Sequence, residues 1–119
     1  MKSKRLYLDY LRDILENVEK AIEFSTGMSN TEFFEDEKTI FAVIRAIEVM
    51  GEATKKVPKS VREKYTYVPW REMAGTRDVL VHEYFGVNLE VIWKTVKDDL
   101  PSLIPYLEQV IREEKKTNY

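Results

Sequence analysis

Cysteine is absent from this chain of 119 residues. That excludes disulfides, thiol catalysis and cysteine-based zinc sites. Histidine occurs once, so no spacing of imidazoles and carboxylates suggests a transition-metal centre. Glycine and proline number four each, too few for a low-complexity or loop-dominated protein. No apolar run approaches the roughly 18 residues of a membrane span. The basic start, Met1 to Arg12, is not followed by the apolar stretch of a signal peptide, so the expected location is cytoplasmic. A net charge of −2 leaves no general excess of cations, and any contact with RNA must come from a local patch.

What the sequence does contain is helical. Apolar residues make up 44% and charged residues 34%, which supports an ordered core, and the length suits one domain spanning 1–119. Leu8, Leu11, Leu15, Val18 and Ile22 recur at steps of three and four, predicting a helix over 4–24. Residues 25–29 break it, and Ser29 or Asn30 can cap the next element. Thr31–Phe34 reads as a short turn with two buried Phe. A long helix is expected over 35–56, with Ile40, Val43, Ile44, Ile47, Met50 and Thr54 inward. Gly51 inside it costs about 1 kcal/mol relative to Ala, which either close approach of a neighbour or a tolerated kink would explain.

Pro58 opens a short turn or helix over 59–64. Lys55, Lys56, Lys59, Arg62 and Lys64 form the densest basic run, readable as a solvated connection or as an RNA-attracting patch. Pro69 fits the first position of the next helix, with Trp70 and Met73 inward. Asn88 can cap a helix through Leu100 that buries Leu89, Ile92, Trp93 and Val96. Pro101 is expected to restart the chain into a final helix with Leu103, Ile104, Leu107, Val110 and Ile111 on its stripe. The polar tail from Arg112 is expected to fray. No alternating strand pattern appears, so the expectation is an all-α, up-and-down four-helix bundle with short extra helices.

The stretch that carries chemistry is Gly75-Thr76-Arg77-Asp78-Val79-Leu80-Val81-His82-Glu83-Tyr84-Phe85-Gly86. A helix from about Trp70 to Phe85, stopped by Gly86, would place Arg77 and Tyr84 on nearly one line. Asp78 and His82, four apart, would share the neighbouring line, roughly 100° round. The helix C-terminus and Asp78 both favour a protonated His82. A cationic His beside Arg suits phosphate binding and proton transfer in phosphodiester chemistry. Such chemistry needs two proton-transfer groups, and the chain has one His; a symmetric dimer supplies the second. The plain alternative is a helix-end cap, a solvated Arg–Asp pair and a core Tyr.

The segment from Arg77 to Tyr84 resembles the Arg-polar-x-x-x-His-x-Tyr motif of the HepT-like toxins in the HEPN superfamily. Ile47-Glu48-Val49-Met50-Gly51-Glu52-Ala53, Val68-Pro69-Trp70, Ala74-Gly75 and the stretch 87–93 resemble the flanking family blocks. The likeness covers roughly 35–105. It implies a HEPN-like helical homodimer that cleaves RNA, tRNA or mRNA, without a metal or other cofactor. It also implies a minimal nucleotidyltransferase antitoxin as partner. Arg77 and His82 map onto the family's catalytic pair, with Asp78 supporting in a slot where many members have Asn. Tyr84 maps onto the tyrosine that the antitoxin modifies with AMP. The competing function is a non-catalytic helical partner of a nucleotidyltransferase that binds a nucleotide or acts as a scaffold.

Overall fold

The computed structural model describes residues 2–82 and 88–117, with side chains from 6–76 and 88–117. All regular structure among them is helical: α1 (Lys2–Phe24), α2 (Asn30–Glu35), α3 (Glu37–Lys55), α4 (Lys59–Lys64), α5 (Trp70–His82), α6 (Leu89–Lys94) and α7 (Leu100–Thr117). A π-helical turn, Thr95–Asp99, joins α6 to α7. The all-α expectation holds. None of these helices is long and apolar enough to cross a membrane.

The core forms where the stripes of the long helices meet. α1 packs against α3 and α7, and α3 packs in turn against α5. The buried line of α1 is Leu8, Leu11, Ile14, Val18 and Ala21. Leu15 and Ile22, expected at its centre, flank it half-buried. Ile14 and Leu15 are adjacent apolar residues, and only packing decides which one faces inward. On α3 the inner face carries Val43, Ala46, Ile47, Met50 and Thr54, with Ile40 and Ile44 at its margin. Gly51 is also buried there.

The chain between α1 and α3 is a helix rather than a turn. Ser29 caps it with a full capping box: its hydroxyl accepts from the Glu32 N–H at 3.1 Å, and Glu32 accepts from the Ser29 N–H at 2.8 Å. Phe33 is fully buried, whereas Phe34 is only partly covered. The Phe33 ring stands 5.3 Å from that of Trp93 and fixes α2 against α6. Asp36 then interrupts the helix and caps α3 through the Thr39 N–H at 3.0 Å. That bond, the first cause, lowers the Asp36 pKa below its usual value.

Pro101 does not begin a separate helix. The chain runs helically from α6 through the π turn into α7. The Leu100 N–H bonds back to the Thr95 carbonyl, five residues away. A proline ring clashes with the carbonyl four residues before it, and a widened turn just ahead of Pro101 gives that ring room. Asn88 caps α6 as expected, accepting from Glu90 and Val91. The tail also differs from expectation, because α7 continues to Thr117 and buries Glu114.

Candidate functional site: the α5 helix and its grooves

α5 is anchored at its start. The indole of Trp70 donates to the Tyr65 carbonyl at 3.0 Å, and the Pro69 carbonyl accepts the Met73 N–H at 3.0 Å. Pro69 thus serves as the residue capping the helix, one position earlier than expected. Trp70 and Met73 are buried against the core, as their spacing suggested. From this fixed beginning the helical backbone continues through Arg77 and Asp78 to His82. The helix expected from Trp70 agrees with that backbone as far as His82. The side chains of Arg77, Asp78 and His82 lie outside the described residues, as do all of Tyr84 and the expected Gly86 stop.

Two grooves flank the described part of α5. One, about 340 Å³, lies between α5 and the end of the π turn; Met50 and Met73 give it an apolar floor, and Glu72, Thr76 and Asp99 a polar rim. Thr76 is tied down by its hydroxyl, which donates to the Glu72 carbonyl at 2.8 Å. The other, about 760 Å³, lies between α4 and the start of α5, with Arg62, Arg71 and Gly75 among its lining residues. Each groove reaches a residue just ahead of Arg77 in the chain: Thr76 in the first, Gly75 in the second.

The structure divides the basic run rather than presenting it as one patch. Lys64 donates to Glu114 at 3.0 Å. Lys56 sits 5.6 Å over the Tyr10 ring. Lys59 and Glu63 stand 4.0 Å apart, both largely in water, a pair of little energetic weight. Arg62 alone of the run keeps a buried Nε without a hydrogen-bond partner.

Sequence reasoning missed the polar cluster at Glu114. This carboxylate is 3% exposed, yet each oxygen is satisfied. Tyr7 donates to Oε1 at 2.6 Å; Tyr65 at 2.6 Å and Lys64 at 3.0 Å donate to Oε2. Burial pushes the Glu114 pKa up, but the hydrogen bonds from Tyr65, Tyr7 and Lys64 outweigh it and hold the carboxyl below its usual value. Burial, then the bond to Glu114, raises Tyr65 well above the usual phenol range. The one available signal was spacing: Glu114 continues the line of Leu103, Leu107 and Val110.

Helical folds of this kind host many activities, so the architecture by itself assigns none. The sequence relations are more specific. A family model described as "Ribonuclease HepT-like" matches residues 14–110. The chain is 51% identical over 100 residues to "Probable ribonuclease HepT" of Thermococcus cleftensis, covering 84% of this chain and 91% of that one. It is 43% identical over 115 residues to a "Putative RNase" of Caldanaerobacter subterraneus subsp. tengcongensis, covering 97% and 100%. A "Putative RNase" of Methanocaldococcus jannaschii is 42% identical over 110 residues, covering 92% and 91%. No solved structure matches. The chain belongs to the HepT-like ribonuclease family, and family resemblance makes it an endoribonuclease.

Proposed function

We propose that this chain is the toxin of a type VII HEPN/nucleotidyltransferase toxin–antitoxin pair. It acts in the cytoplasm as a homodimeric, metal-independent endoribonuclease. The observation that carries the reading is the family match over 14–110, which encloses the Arg77–Tyr84 motif and the α5 backbone bearing Arg77, Asp78 and His82. A minimal nucleotidyltransferase is its antitoxin.

The reaction is built from the residue types. A ribose 2′-oxygen attacks the adjacent phosphorus while the His82 of one copy takes its proton. The bond from phosphorus to the 5′-oxygen breaks, and the His82 of the other copy protonates that leaving oxygen. The products are a 2′,3′-cyclic phosphate and a 5′-hydroxyl. Arg77 matches the phosphate oxygens with its planar fork and stabilises the negative charge of the transition state. Asp78 orients His82 and favours its cationic form. AMP on the Tyr84 oxygen adds a phosphate that competes with RNA for Arg77, which switches the enzyme off.

The test is cleavage of a purified tRNA pool by unmodified dimeric protein in excess EDTA, with Arg77→Ala and His82→Ala as controls. Cleavage by the wild type, leaving cyclic phosphate ends, is expected to fall by at least about 100-fold in either variant. Absence of cleavage by folded, dimeric wild type would overturn the nuclease and favour a binding partner. Full activity of either variant would remove that residue from the mechanism.

A further inference from the structure

The groove between α4 and the start of α5 contains cations that the fold does not use. Arg62 contributes from α4 and Arg71 from α5. Neither side chain makes a hydrogen bond or ion pair with another described residue. The Nε of Arg62 is itself buried and unpaired, so an anion in the groove would meet the rest of this guanidinium, whose N–H groups call for acceptors, best anionic oxygens. The groove also contains Lys59, Glu63 and Glu72. Lys59 and Glu63 offset each other at 4.0 Å, which leaves two arginines against one carboxylate.

Gly75 provides a second, independent observation. It stands inside α5, where glycine weakens a helix relative to alanine. A Cβ built there would meet nothing within 4 Å, so no neighbour among the described residues requires its absence. The missing side chain instead bares helical backbone along the groove wall, where an external group can approach closely. Gly75 is two positions before Arg77, and Arg71 is roughly 9 Å from Arg77 along the helix axis at 1.5 Å per residue. The groove therefore leads along α5 towards the motif.

We infer that this groove seats the phosphate backbone of single-stranded RNA beside the scissile phosphate, with Arg62 and Arg71 forking onto phosphate oxygens and Gly75 admitting the strand against α5. The inference rests on the ribonuclease reading for the direction of the strand, but the binding itself can be measured separately. Two arginine forks on opposite walls suit a chain of phosphates better than a single small anion, because each fork takes its own phosphate. A strand held this way is positioned by its backbone, and base identity is left to other contacts.

The experiment uses the full chain carrying His82→Ala, so that RNA is bound without turnover. Anisotropy of a short fluorescein-labelled single-stranded RNA is followed against protein and salt concentration. In this background Arg62→Glu with Arg71→Glu is expected to weaken binding about 10- to 100-fold. It should also flatten the logarithmic salt dependence by about 1.4, roughly 0.7 for each phosphate no longer neutralised. Lys20→Glu on α1, outside the groove, should bind as the parent does.

Arg62 is half-buried, so helix content is checked by circular dichroism. Arg71→Glu, at an exposed position, is measured alone to keep the answer independent of any folding defect. An unchanged affinity and salt slope in Arg71→Glu would overturn the inference, and the groove would then be open to a protein partner instead. Absence of RNA binding by the parent would also overturn it. Cleavage is measured in parallel without His82→Ala. Cleavage with KM unchanged by Arg71→Glu sinks the groove but leaves the nuclease intact. Groove-dependent binding without any cleavage does the reverse.

Discussion

The cluster around Glu114 and the groove beside α5 both place charge on a largely apolar scaffold, and they resolve it in opposite ways. At Glu114 a carboxylate is enclosed, and three donors from two distant parts of the chain satisfy both oxygens. In the groove, Arg62 and Arg71 line open space, and neither side chain has a hydrogen-bond or ion-pair partner among the described residues. A polar group that the fold completes acts as a staple. One that the fold leaves incomplete marks where something else can bind. The difference lies in hydrogen-bond completion, since both regions contain charge and both are built from helices.

The largest expected effect comes from breaking the completed side. Glu114→Ala leaves the buried Tyr65 hydroxyl without its acceptor and removes the link from α1 and α4 to α7. It should cost about 3 kcal/mol, read as a lower midpoint in urea unfolding. A loss below about 0.5 kcal/mol would show that the cluster is ornamental and blur the contrast with the groove.

Titration sharpens the contrast next. The folded Glu114 pKa lies below its unfolded value, so its contribution is present above about 4.5 and is lost as pH falls through the folded pKa. Tyr65 is shifted the other way. Its contribution is complete below about 10 and is lost as pH rises towards the raised folded value. Thermal melts of the wild type should therefore fall at both ends, and Glu114→Gln should flatten the acid limb. An acid limb of unchanged shape in that variant would show that other carboxylates set it.

The smallest effect belongs to the groove. Gly75→Ala places a methyl in open space inside a helix, so it should raise stability by about 0.5–1 kcal/mol in chemical unfolding. Destabilisation would mean that the site is more crowded than it stands here. A gain in stability together with weaker RNA binding would make Gly75 a residue retained for a ligand.

Much of the helical order was legible because it is local. Steps of three and four marked the long helices, and Asn88 declared its cap by type and position. Errors arose where two local readings were equally good. Ile14 and Leu15 are both apolar neighbours, and Thr31–Phe34 is short enough to read as a turn until the capping box closes. Pro101 read as a break because an isolated α-helix would break there; the π turn before it is the exception. At the site, the motif residues could be named from type and spacing, but the grooves beside them could not. Their walls come from α3, α4, α5, α7 and the π turn, which are distant in the chain.

By itself, then, the sequence determined the helical class and singled out the segment proposed to carry the chemistry. Periodicity and motif spacing are properties of neighbouring residues and need no tertiary information. Only the tertiary structure decided which charges are spent inside the fold and which face a groove. Glu114 reads as one more solvated carboxylate in a polar tail, and it becomes a buried staple only when Tyr7, 107 positions away, and Tyr65, 49 away, arrive at its oxygens. Arg62 reads as one member of a basic run, and it is set apart only when Lys64, Lys56 and Lys59 find partners that it lacks. The physical reason is the same in both cases: the energy of a charge depends on what surrounds it, and distant parts of the chain supply those surroundings.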